Sequence, residues 1–356
     1  MITTNMRSGR NATSRTPVVG YLGWHGRGNL GDDAIYDAVR AQLPEAAFVD
    51  LPRFRHEVIR AAATGLNRRL RRGVQMVGGG TLVGTSYFRQ LAQRGMTLTR
   101  AKGSFAIGVG VEDPDFIRRR YGSDGDELKR WAPILSDFHT VSVRGPRSAE
   151  LLSEVGLSVE VSGDPALLLP VPDVVAEDGL IGLNLGFGDD DLWGQDPAMV
   201  AHEISLAVAQ LSSRGHRFVG ILMNRADERW TRLALNGIDA EVVMPADARA
   251  AAHELARCSV AIVSRLHAGI LAAISATPVV ALEYLPKCRD FARSIGNEQS
   301  LIRTDKLRAA VVVDHVGSAL ADSASIRANT QAQVAELRRR LDTEYTAVRH
   351  QLGATC

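Results

Sequence analysis

The chain has 356 residues, 45% hydrophobic and 23% charged, enough for two packed cores of ordinary size. A formal charge of +2 supplies no whole-molecule field that would recruit nucleic acid, so any basic function has to be local. Three cysteines, Cys258, Cys288 and Cys356, are too few and too scattered for a disulfide framework or a clustered metal site, which fits a reducing cytoplasm and predicts no metal.

Residues 1–16 are polar, without an apolar segment, and read as a disordered tail and not a secretory signal. From Val18 onward short β-branched runs alternate with amphipathic stretches, the pattern of parallel sheets covered by helices, an α/β doubly wound architecture. The first unit, residues 17–170, has predicted strands at Val18–Gly23, Ala47–Leu51, Val74–Val77, Phe105–Val109, Thr140–Arg144 and Val159–Ser162. Two prolines, three acidic residues and a glycine in Leu169–Gly179 interrupt the periodicity and mark a linker. The second unit, residues 178–316, has predicted strands at Leu180–Leu185, Arg217–Leu222, Ala240–Val243, Val260–Ser264 and Val279–Glu283. The segment 317–356 reads as a charged helix from about Ser318 to Leu352. The longest apolar stretch, Val260–Leu282, contains Arg265, His267 and Pro278 and is predicted to be strand, helix and strand in a core, not a membrane span.

Two doubly wound units leave a cleft that the carboxyl ends of both sheets can face, so candidate residues are sought at strand ends. The first strand runs into Gly23–Asp33, where four glycines and Asn29 allow close backbone approach to a ligand. Asp32 and Asp33 suit either capping and first-turn roles or a carboxylate that orients or deprotonates an acceptor hydroxyl. Gly78, Gly79 and Gly80 end the strand Val74–Val77, as a ligand wall or as close strand–helix packing. Arg144 ends another strand, placed to clamp a carboxylate or phosphate or to pair with a surface neighbour. Gly163-Asp164-Pro165 reads as a turn. In the second unit Arg265 and His267 stand at a strand-to-helix junction and Lys287 follows the neighbouring strand, so the three are expected to converge on an anion.

Gly28-Asn29-Leu30-Gly31-Asp32-Asp33, Gly78-Gly79-Gly80, Ser142-Val143-Arg144, Gly163-Asp164-Pro165, Arg265-Leu266-His267 and Tyr284-Leu285-Pro286-Lys287 together resemble, in order and spacing, the polysaccharide pyruvyl transferases. The resemblance implies a GT-B-like fold, two Rossmann-type domains facing a central cleft, with the C-terminal helix crossing back to the first. It implies phosphoenolpyruvate as donor, with no further cofactor. Arg144, Arg265 and Lys287 then match positions that hold the donor's phosphate and carboxylate, and His267 matches the general acid. Asn29, Gly79 and Gly80 belong to the substrate-binding loops and Asp32 and Asp33 to the acceptor side. Gly145 departs from the pattern, since an acidic residue commonly follows the arginine there.

Two other readings use the same cleft: a nucleotide-sugar-dependent glycosyltransferase, which needs a base and ribose pocket that the sequence does not display, and a non-catalytic member of the fold. Trp24, His25, Trp193 and Trp230 suit either sugar stacking or ordinary packing. The basic run Asn67–Arg72 is read as a solvated helix face, with peripheral contact to a membrane bearing a lipid-linked glycan acceptor as the alternative.

Overall fold

The computed structural model describes residues 16–354 except 53, 100–102, 122–125 and 188–191. The predicted tail lies outside the described residues apart from Thr16. The N-terminal sheet is built from β1 (Val18–Leu22), β2 (Ala47–Asp50), β3 (Val74–Val77), β4 (Thr81–Val83), β5 (Ser104–Val111), β6 (Thr140–Val143) and β7 (Glu160–Val161). Its order is β2-β1-β3-β5-β6-β7, every pairing is parallel, and β4 pairs with the far end of β5. The second sheet has β8 (Glu177–Asn184), β9 (Arg217–Ile221), β10 (Glu241–Val243), β11 (Cys258–Val263), β12 (Val279–Glu283) and β13 (Leu301–Arg303), in the order β10-β9-β8-β11-β12-β13, again all parallel.

Helices cover both faces of each sheet, so the central strands read as continuous apolar runs; all of Ser-Phe-Ala-Ile-Gly-Val-Gly-Val in β5 is buried. Capping is explicit where helices begin. Asp196 accepts from Ala198 N–H at 2.8 Å, Asp247 from Ala250 N–H at 2.8 Å, and Pro146 opens the helix Pro146–Ser153. In each sheet the chain reverses direction once, between β1 and β3 and between β8 and β11. Such reversals open a crevice beyond the strand ends, and here the two crevices face each other.

The domains meet along a tight seam. Leu30 N–H donates to the Met223 carbonyl at 3.0 Å, Asn224 Nδ2 donates to the Gly28 carbonyl at 2.9 Å, and Asn29 and Asn224 form an antiparallel bridge. At the opposite edge Asp290 accepts from the Ser148 hydroxyl at 2.6 Å, and Arg293 pairs with Glu150 at 2.7 Å.

The C-terminal segment differs from the single helix predicted from about Ser318. Helix Ala309–Ala321 packs in the second core through Val312, Val313, Val316 and Ala319, and a separate helix of 32 residues, Ser323–Ala354, follows a break at Asp322. The break redirects the chain from one core to the other. Val334, Leu337, Leu341, Tyr345, Val348 and Leu352 form a buried stripe at helical spacing, and Leu337 packs over Gly163. Both oxygens of Glu344 accept from serine hydroxyls of the first domain, Ser142 at 2.7 Å and Ser162 at 2.6 Å, while Arg349 donates to the Gln42 carbonyl at 3.1 Å. Burial raises the Glu344 carboxyl above its ordinary range, against the lowering effect of the two serines. Among the described residues no helix is long and apolar enough to cross a membrane.

Candidate active site

The strand ends of both domains enclose a cavity of about 760 Å³. On its N-terminal wall Asn29 caps the helix Leu30–Gln42: its Oδ1 accepts from Gly31 N–H at 3.1 Å and its Nδ2 donates to Asp32 Oδ2 at 2.6 Å. That grip holds the Asp32 carboxylate toward the cavity, beside Gly80. Gly80 has φ +96°, a left-handed conformation that favours glycine, and its carbonyl accepts from Gly110 N–H at 2.9 Å.

Two of the predicted residues lie elsewhere. Asp33 does not line the cavity; successive helical residues point about 100° apart, and its Oδ1 accepts from Gly26 N–H at 2.6 Å, closing the glycine loop on itself. Gly79 is also outside the lining. A Cβ there would stand 2.9 Å from Ile35 Cδ1, so its smallness serves strand–helix packing.

Arg144 is 1% exposed, far from the surface pairing that its sequence position allowed. Its Nη2 donates to Thr81 Oγ1 at 3.3 Å, its Nη1 stands 3.5 Å from Asp164 Oδ2, and its buried Nε has no hydrogen-bond partner among the described residues. Asp164, read from the sequence as a turn residue, is completely buried and central. Its Oδ1 caps the short helix Pro165–Leu168 through Ala166 N–H at 2.9 Å, and its Oδ2 lies 3.7 Å from His267 Nε2. Burial alone would raise this carboxyl, but His267, Arg144 and the Ala166 N–H more than offset it and hold it below the ordinary carboxylate range.

Arg265 and His267 come from the junction of β11 with the helix Leu266–Ile274. Arg265 donates its backbone N–H to Asn184 Oδ1 at 3.1 Å, while Nε and Nη2 grip Asp227 Oδ1 at 3.0 and 2.7 Å. Asp227 is fully buried and fixes the plane of the guanidinium. The His267 Nε2 is buried and has no hydrogen-bond partner among the described residues, and the ring lies against Gly31 of the other domain. Lys287 follows β12, its ammonium 5.1 Å above the Tyr284 ring. Seven of the nine predicted residues, Asn29, Asp32, Gly80, Arg144, Arg265, His267 and Lys287, therefore line one cavity. Arg120 and Thr81 line it as well.

The departure at Gly145 also has a structural counterpart. A Cβ there would lie 2.6 Å from Asp290 Cγ, and Asp290, from the other domain, accepts from Arg147 N–H at 2.8 Å and from Ser148 N–H at 3.3 Å. A carboxylate does stand beside the residue after Arg144, supplied across the seam.

Two doubly wound parallel sheets with a shared cleft at their carboxyl ends define an α/β, two-domain GT-B architecture. Solved structures with this architecture include the UDP-GlcNAc 2-epimerase of Neisseria meningitidis bound to UDP-GlcNAc (TM-score 0.55, 10% identity, covering 88% of this chain and 94% of that one). The S. aureus MnaA–UDP complex has TM-score 0.56 and 12% identity, covering 89% and 91% of the two chains. CalG4, the calicheamicin glycosyltransferase, has TM-score 0.54 and 13% identity, covering 95% and 99%. At such identities the likeness concerns the fold. A search of the curated proteins finds no match. The family model for polysaccharide pyruvyl transferase matches residues 29–286, from the capping asparagine to the proline before Lys287, and the chain belongs to that family. It is a transferase of polysaccharide biosynthesis.

Proposed function

We propose that the protein transfers the pyruvyl group of phosphoenolpyruvate to two hydroxyls of one sugar in a glycan or glycolipid, forming a cyclic ketal and releasing phosphate. The observation that carries the reading is the convergence of Arg144, Arg265, His267 and Lys287 on one cavity whose opposite wall presents Asp32. Phosphoenolpyruvate carries two anionic groups on a three-carbon frame, and fixing it requires several cations held at defined angles. Arg265, locked by Asp227, and Lys287 suit the phosphate and carboxylate; Arg144 joins them from the first domain, held by Thr81 and Asp164.

His267 supplies a proton to the methylene carbon, which becomes a methyl group and leaves C2 electron-poor. The first sugar hydroxyl adds to C2 and gives its proton to Asp32. The second hydroxyl then displaces the phosphate, whose oxygen or His267 takes the remaining proton, and the ring closes. Cations around the departing phosphate lower the barrier to that step. The position of His267 Nε2 supports this role: it makes no hydrogen bond among the described residues and has the Asp164 carboxylate at 3.7 Å, a charge that favours the protonated ring. Phosphoenolpyruvate as donor implies a cytoplasmic reaction, with a product for the cell envelope.

The test is phosphate release from phosphoenolpyruvate with a panel of sugar acceptors, using His267→Ala and Arg265→Ala as controls. Acceptor-dependent release, abolished in both variants, is expected. No release, together with thermal stabilisation by nucleotide sugars and none by phosphoenolpyruvate, overturns the reading.

A further inference from the structure

Residues 54–72, forming the helices Arg55–Ala63 and Leu66–Leu70 and the turn after them, have a composition unlike the rest of the chain. They hold six arginines against one glutamate, so with a total formal charge of +2 the remainder of the molecule is net negative. Arg60, Arg68, Arg69, Arg71 and Arg72 are exposed and make no ion pair among the described residues, whereas arginines such as Arg257, Arg265, Arg289 and Arg293 are held by carboxylates. Glu57 is occupied in accepting from Phe54 N–H at 3.1 Å. The same surface exposes two large apolar side chains, Ile59 at 70% and Phe54 at 53%.

This surface adjoins the active cleft. Arg60, Phe54 and Leu66 line a side cavity of about 330 Å³ together with Arg27, and the Arg27 guanidinium lies 4.1 Å over the Trp24 ring. Trp24 in turn lines the main cavity.

Clustered cations that carry no counter-charge, interspersed with exposed aliphatic and aromatic groups, are unfavourable in water and favourable at an anionic lipid interface, where the charges meet headgroups and the apolar groups enter the acyl boundary. A nucleic-acid backbone would satisfy the arginines but has no use for Ile59 and Phe54. We infer that the surface of residues 54–72 docks the protein on an anionic bilayer, with the cleft mouth beside it open to an acceptor sugar carried on a lipid in that bilayer. The second half of the inference rests on the proposed pyruvyl transfer; the docking does not.

Sedimentation with phosphatidylcholine vesicles, alone or with one-third phosphatidylglycerol, tests it on the full chain. Binding to the anionic vesicles only, weakened by salt, is expected. Each arginine near such a surface is worth about a fivefold gain in partitioning, so the combined Arg68→Glu, Arg69→Glu, Arg71→Glu and Arg72→Glu variant should lose binding by at least about two orders of magnitude. Ile59→Asp should weaken binding while leaving its salt dependence in place. These exposed positions should leave thermal stability, and turnover of a water-soluble acceptor, unchanged. Absence of vesicle binding, binding indifferent to lipid charge or to the fourfold variant, or capture of RNA in place of vesicles would overturn the docking. Vesicle binding without phosphate release from phosphoenolpyruvate leaves docking intact and removes the transfer reading.

Discussion

Replacing Gly31 with alanine adds one methyl group at the contact between the two domains. Gly31 is the second residue of the helix Leu30–Gln42, and a Cβ there would lie 2.7 Å from the His267 Cβ and closer still to the imidazole. The ring has little room to retreat, because Leu266 and Ala268 beside it are buried and Asp164 stands behind it at 3.7 Å. In the helix alone, alanine recovers about 0.5–1 kcal/mol over glycine. Overpacking at a filled contact costs about 1–3 kcal/mol, so the net expectation is a loss of about 1 kcal/mol. For a chain of this size that corresponds to a fall of about 1–2 °C in Tm. Activity should fall much further, since a displacement of about 1 Å at a proton donor costs about a hundredfold in rate. Thermal unfolding and acceptor-dependent phosphate release on Gly31→Ala read the two effects separately. A variant with a raised Tm and turnover within roughly twofold of the parent would refute the argument that Gly31 seats His267.

Asp164→Asn should destabilise the protein by about 3 kcal/mol in denaturant unfolding and abolish turnover, because Arg144 is left as an uncompensated buried charge. The depressed carboxyl of Asp164 contributes stability above the unfolded-state value that is lost as pH falls through the folded one, so the variant should show a flatter acid limb in Tm against pH. Glu344→Gln works with the opposite sign: the raised Glu344 carboxyl costs stability as pH climbs from its ordinary range through the folded value, so the Tm of the variant relative to the parent should increase from pH ~4.5 to ~7.5. Cys258 and Cys288 are buried, and burial pushes their thiols up to about 12 and about 11. In a Cys356→Ser background, a thiol reagent should therefore react only on unfolding.

Much of the site is legible in sequence because parallel strands end where ligands bind. Arg144, Arg265 and Lys287 each close an apolar run, and that position alone aims them at the cleft. Adjacent helical residues are harder: Asp32 and Asp33 carry the same chemistry, and only the cap by Asn29 and the bond from Gly26 decide which faces the cavity. Asp164 is hidden for a different reason. Gly-Asp-Pro reads as a turn, and its partners Arg144 and His267 become neighbours only after both domains have packed. The substitution of Asp290 for an acidic residue at 145 is of the same kind. Strands β4 and β13, three residues each, are too short to show any periodicity, and the break at Asp322 falls within a pattern that is helical on both sides.

The helix Ser323–Ala354 emerges from the ribosome after both sheets, yet its apolar stripe and Glu344 complete the core of the domain made first. Domains usually fold in the order of their synthesis. Here the surface behind Gly163 is covered by Leu337, from a helix that follows the second domain in the chain, so a chain cut before Ser323 should leave apolar surface of the first domain exposed to water.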